Sequence, residues 1–143
     1  MDRIFKEWLA LLGENPEREG LLKTPQRTAE AWTYLTRGYK QDPDELIQSS
    51  IYEVEANHMV IVRDIEIYSL CEHHLLPFFG VCHIGYIPRG RIVGVSKLAR
   101  LADIFARRLQ VQERLTNQIA RTLMDSLEPE GVGVIIEARH LCM

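Results

Sequence analysis

Apolar positions recur every three to four residues at the start of the chain, every two residues in its middle, and in both ways towards its end. Ile4, Phe5, Trp8, Leu11 and Leu12 trace one face of a helix, and Gly13 follows where a left-handed cap would close it. Thr24-Pro25 predicts an N-cap with proline at the first helical position, Ala31, Trp32 and Leu35 as its buried stripe, and Gly38 as the stop. Asp42-Pro43 predicts a third, shorter helix. These aromatic and aliphatic stripes read as packing surfaces rather than ligand sites.

The period then changes. Met59 to Tyr68 holds Val60, Val62, Ile65 and Ile67, a strand whose phase slips at Asp64, where a bulge fits. Val81–Ile87 and Ile92–Val95 predict an antiparallel pair joined through the turn Pro88-Arg89-Gly90-Arg91. Ser96 is placed to cap a helix with Leu98, Leu101, Ala102 and Phe105 inward. A second helix from about Val111 to Leu127 turns Leu115, Ile119, Thr122 and Leu123 inward, and Pro129 and Gly131 end it. From Val132 to Met143, alternation puts Val132, Val134, Ile136, Ala138, His140 and Cys142 on one strand face. Gly131-Val132-Gly133 lacks the third glycine of a dinucleotide fingerprint and reads as a turn. The sum is an α+β domain built on an antiparallel sheet.

Composition narrows the class. A chain of 143 residues, 46% apolar and 26% charged, is one globular domain able to build a core without disulfides or structural metal. Seventeen basic against twenty acidic residues, net −3, argue against a nucleic-acid partner while allowing a local basic pocket. Three cysteines have the wrong parity for a disulfide framework, and the start has no apolar signal region, so the expected location is cytoplasmic. No stretch approaches the roughly 18–20 apolar residues that span a bilayer, so no membrane partner is expected.

Metal-capable side chains crowd into Cys71-Glu72-His73-His74 and return at His140 and Cys142. Thiolate and imidazole suit zinc, and a Cys-x-x-His turn presents two ligands on one side of a tight loop. If Cys71, His74 and Cys142 bind the ion, the fourth tetrahedral position stays open to water, as in catalytic rather than closed structural sites. His58, His83 and Cys82 have no such company and read as packing or surface residues. There is no P-loop and no zinc base-deaminase signature.

Four ordered motifs carry a resemblance. Tyr68-Ser69-Leu70-Cys71-Glu72-His73-His74-Leu75-Leu76-Pro77-Phe78 resembles the zinc motif of the GTP cyclohydrolase I family. Gly94-Val95-Ser96-Lys97-Leu98-Ala99-Arg100, Arg108-Leu109-Gln110-Val111-Gln112-Glu113-Arg114-Leu115 and Glu137-Ala138-Arg139-His140-Leu141-Cys142-Met143 match it in the same order. Thr24-Pro25-Gln26-Arg27 is similar to the family's N-terminal helix start, so the likeness runs from about Gly20 to Met143.

That resemblance implies a T-fold, an antiparallel sheet with two helices on one side over residues 51–143, preceded by a helical segment over 1–50. It implies sheets joined into a pentameric barrel, two pentamers stacked as a decamer, and active sites between subunits, with an unidentified regulatory protein and allosteric control as further possibilities of the assembly. The implied reaction opens the guanine imidazole ring of GTP with water, giving 7,8-dihydroneopterin triphosphate and formate, the entry to folate or tetrahydrobiopterin synthesis. By position, Cys71, His74 and Cys142 would hold zinc, and His73 and His140 would move protons. Glu113 would accept from the guanine N1–H and 2-amino groups with Gln112 in support, and Ser96, Lys97 and Arg100 would face the triphosphate.

In the family the chain continues past the position of Met143 with another methionine, an arginine that grips the triphosphate, a strand and a helix. The expectation is therefore either a trimmed chain or a protein lacking part of its substrate site, the latter a non-catalytic oligomeric or regulatory homologue. Nitrile reductase relatives, which use a cysteine nucleophile and a nicotinamide cofactor, are disfavoured by Cys-Glu-His-His.

Overall fold

A computed structural model describes residues 1–55 and 58–143, which form two compact units, Met1–Thr36 and Arg37–Met143. The first contains helix α1 (Asp2–Leu11), a 3-10 turn (Glu19–Leu21) and helix α2 (Thr24–Leu35). Phe5 joins them, its ring 6.4 Å from both Trp8 and Trp32. Gly13 adopts the expected left-handed conformation (φ 89°). The expected buried stripes do not form: Ile4, Trp8, Leu11 and Leu12 are exposed, as is Ala31, and the buried positions are Leu9, Pro25 and Ala29. Thr24 is helical rather than the cap, which falls on Lys23 with no side-chain hydrogen bond. Two short helices have too little facing surface to bury a full stripe on each.

The second unit begins with a 3-10 turn (Arg37–Lys40) and helix α3 (Pro43–Gln48). Asp42 caps α3 as its sequence predicts, accepting from the amides of Asp44 (2.9 Å) and Glu45 (3.1 Å). Within this unit α3 packs against the core that carries the sheet, and Ile47 is fully buried there. Strands β1 (Ile51–Glu53), β2 (Val60–Cys71), β3 (Pro77–Ile87) and β4 (Arg91–Val93) follow, then helix α4 (Val95–Ala106), strand β5 (Leu109–Gln110), helix α5 (Gln112–Leu127) and strand β6 (Gly131–His140).

The main sheet has the order β5-β2-β3-β6; β2, β3 and β6 are antiparallel, and the two-residue β5 adds a parallel pairing to β2. The fold is therefore α+β with a mixed sheet. The slip at Asp64 is real: the β2–β3 register shifts between Val62 and Ile65, with Asp64 at φ 58°. The expected pairing of β3 with residues 92–95 does not occur. Both sides of β3 are taken by β2 and β6, so β4 pairs with β1 and touches β3 through Val93 N–H, which donates to the buried Tyr86 hydroxyl (3.2 Å). Ser96 does not cap α4, whose N-cap is Gly94, and Gly131 and Gly133 lie within β6 rather than in a turn.

One sheet face is apolar and both long helices close it. Ile65 and Ile67 of β2, Phe78, Cys82, Ile84 and Tyr86 of β3 and Ile136 of β6 share a core with Leu98, Leu101, Ala102 and Phe105 of α4 and Leu115, Ile119 and Leu123 of α5. The helical and alternating periods of the sequence predict those of β2, β6, α4 and α5. No described helix is long and apolar enough to cross a membrane.

Candidate active site

β2 and β3 are joined by a tight turn over Glu72-His73-His74, closed by Leu75 N–H to Cys71 O (2.8 Å) and Cys71 N–H to Leu76 O (2.8 Å), with Leu75 left-handed at φ 58°. This curls His74 back so that its Nδ1 lies 3.8 Å from Cys71 Sγ. The chain end reaches the same turn from β6, because Leu141 N–H donates to Pro77 O (3.1 Å). Cys142 lies just past the strand rather than on it, and its Sγ closes a group in which the ligand atoms of Cys71, His74 and Cys142 all lie within 4.8 Å of one another.

Electrostatics separate the two thiols. The His74 side chain, followed by the His73 backbone, holds Cys71 down to about 6, whereas desolvation, then the neighbouring Cys71, pushes Cys142 up. Cys82, wholly buried, is pushed up to about 12 by burial, which fits its reading as a packing residue. His83 accepts at Nδ1 from the Asp64 amide (3.1 Å) and so serves the bulge.

A cavity of about 660 Å³ opens onto these ligands. Cys71, His73 and His74 line it from the turn, Gln112 and Glu113 from the first turn of α5, and His140 and Cys142 from the chain end. Seven of the ten candidate residues therefore meet at one place. Ser96, Lys97 and Arg100 do not: they occupy the first turns of α4, whose last residue, Ala106, leads into β5 beside Cys71, and a ten-residue rise from Ser96 spans about 15 Å.

Three further residues, Gln110, Arg114 and Phe78, support the group. Gln110, 1% exposed, pairs with Cys71 in the β5–β2 ladder and donates to Phe105 O (2.9 Å) and Gln118 Oε1 (2.8 Å). It accepts from Arg114 Nε (3.1 Å), and Arg114 also pairs with Glu72. Phe78 stacks on the His140 ring, centroids 4.5 Å apart and planes within 6°. The signal available in sequence was weak: Gln110 is a polar residue between Leu109 and Val111, with nothing local to mark it as buried.

Two thiols and an imidazole are the soft donor set that zinc takes, and ligand atoms of a tetrahedral zinc site lie about 3.5–3.8 Å apart, so the group fits after small side-chain adjustments.

The fold defines the broad class. The structure matches the crystal structure of the archaeosine synthase QueF-Like in the apo form with a TM-score of 0.54, at 18% identity, over 59% of this chain and 84% of that one, a likeness of fold. Sequence defines the family more narrowly. The family model for GTP cyclohydrolase I matches residues 1–143, and the chain belongs to that family. It is 60% identical over 132 residues to GTP cyclohydrolase 1 of Chlorobium phaeovibrioides, covering 92% of this chain and 59% of that protein. It is 56% identical over 143 residues to the protein of the same name from Leptospira biflexa (100% and 78%) and 58% identical over 142 residues to that of Campylobacter lari (99% and 75%). The chain thus spans between 59% and 78% of the length of these relatives.

Proposed function

We propose that this chain is the metal-binding part of a zinc-dependent GTP cyclohydrolase I, which opens the imidazole ring of GTP to give 7,8-dihydroneopterin triphosphate and formate at the start of folate or tetrahydrobiopterin synthesis. The observation that carries the reading is the convergence of Cys71, His74 and Cys142 on one cavity with His73, His140 and Glu113. Zinc, when bound, supplies Lewis-acid activation of water at neutral pH.

The chain's residues divide the remaining work. Glu113, on the exposed first turn of α5, accepts from the guanine N1–H and 2-amino donors and so orients the base. His73 and His140 both line the cavity, placed to move protons as the C8–N9 region opens and formate leaves. Ser96, Lys97 and Arg100 supply hydroxyl and cationic groups for the triphosphate. Because they stand at the far end of α4, the reading places them in the site of a neighbouring copy, within a T-fold barrel and a decamer of two pentamers.

The test is release of formate and of a neopterin chromophore from GTP by the metal-loaded protein. Both are expected; absence of both at full metal occupancy overturns the reading and leaves a binding-only homologue.

A further inference from the structure

We infer that Gln112 is a positioning residue that fixes which nitrogen of His140 carries the proton, an inference that rests on the proposed reaction for its consequence but not for its geometry. Gln112 opens α5 and its amide is engaged at both ends inside this chain. Nε2 donates to the backbone carbonyl of Ile136 (3.0 Å), and Oε1 lies 2.8 Å from His140 Nε2. A carbonyl oxygen cannot donate to a carbonyl oxygen, so the Ile136 contact sets the amide the one way round. Oε1 then faces the ring, and an amide oxygen only accepts. His140 Nε2 must therefore bear the hydrogen.

In the neutral ring this leaves Nδ1 as the nitrogen with the free lone pair, and Nδ1 is the one that faces the ligand group, 3.9 Å from Cys142 Sγ. A half-turn of the ring would put Cε1 where Nε2 meets Gln112 and lose that bond. Phe78 lies opposite His140 in the β3–β6 ladder and stacks flat on it, 4.5 Å between centroids. The plane is thus held by Phe78, the tautomer by Gln112, and Gln112 by the strand that carries His140. Nε2–H stays with Gln112, and Nδ1 is turned towards Cys142. Each polar end of Gln112 makes a bond within the chain, and those two bonds orient His140.

The distinguishing measurement is nitrogen-15 solid-state NMR of histidine-labelled, zinc-loaded protein, in which the five histidines give a resolvable spectrum and His140→Ala assigns the signal. The expected His140 signature is a protonated Nε2 and a bare Nδ1, converting in Gln112→Leu to a mixture of both tautomers. A protonated Nδ1 in the unsubstituted protein overturns the inference whether or not the variant folds, as does an unchanged spectrum in Gln112→Leu. In the formate assay, Gln112→Leu is expected to lower kcat about 10- to 100-fold with KM for GTP within about two-fold. A raised KM with unchanged kcat makes Gln112 a guanine contact instead and overturns the inference. Formate release by the unsubstituted protein is read separately, so loss of the proposed reaction and loss of the tautomer assignment are distinct results.

Discussion

Gly80 stands directly opposite Ala138 in the β3–β6 ladder, so close that a Cβ on Gly80 would lie 1.9 Å from Glu137 O and 2.7 Å from Ala138 Cα. The obstruction is backbone on both counts and cannot swing aside. Gly80→Ala is therefore expected to destabilise the protein by roughly 3 kcal/mol, the upper range of overpacking, as read from the urea midpoint. It is also expected to displace the last turn of β6, two residues before His140, and weaken metal binding. An unchanged midpoint would show that β6 can shift freely, contrary to the tight ladder.

Cys71 is held from behind by Gln110. Gln110→Leu removes a buried amide that satisfies Phe105 O, Gln118 and Arg114 together, leaving polar groups without partners at about 1–3 kcal/mol each. Expected outcomes are a loss of about 2–3 kcal/mol in stability and a 10- to 100-fold weaker zinc affinity by competition with a chelating dye. Loss of stability with unaltered affinity would separate this network from the metal group.

Much of this arrangement is legible in the chain. The helix period places Leu98, Leu101, Leu115 and Ile119 in the core, and the strand period turns Ile136, Ala138 and His140 to one face, because each pattern reports a single element against one apolar layer. Asp64 is legible as a break in phase. What the pattern cannot hold is pairing between elements. Ile92 and Val93 read as a strand, yet which strand they join depends on β6 having filled the far edge of β3. The exposed face of α1 shows the same limit, since amphipathicity names a face without naming what covers it. At the site, Cys71 and His74 announce themselves by spacing, whereas the role of Gln110 arises only when β5 joins β2 beside α4 and α5, and the Gln112–His140 contact only when α5 is laid against β6.

The ligand group and the proton carrier are separable by substitution. Cys142→Ala removes one of three donors and is expected to empty the site, whereas His140→Ala keeps all three donors and is expected to retain zinc while losing turnover. Metal content by elemental analysis alongside the formate assay reads both. Full zinc occupancy in Cys142→Ala would remove that residue from the ligand set.

The three cysteines of the metal-free protein are expected to differ in reactivity by the state of their sulfur, because the thiolate is the nucleophile. The imidazole of His74 and the neighbouring backbone hold Cys71 at about 6, so at pH 7 it is mostly thiolate and lines an open cavity. Its alkylation rate should level off above that point and fall as pH drops through it, because the proton returns to sulfur. Cys142 is shifted the other way, above its ordinary 9.0, first by desolvation and then by a thiolate beside it, so it stays a thiol at pH 7. Cys82 is wholly buried and held near 12, unreactive until the fold opens. Iodoacetamide at pH 7 followed by peptide mass spectrometry should therefore modify Cys71 first, Cys142 only in alkaline solution and Cys82 only in denaturant. Zinc should protect Cys71 and Cys142 together, since both would be ligands. Equal labelling of Cys71 and Cys142 at pH 7, or a rate for Cys71 that rises only near 9, would show that His74 does not hold the thiolate.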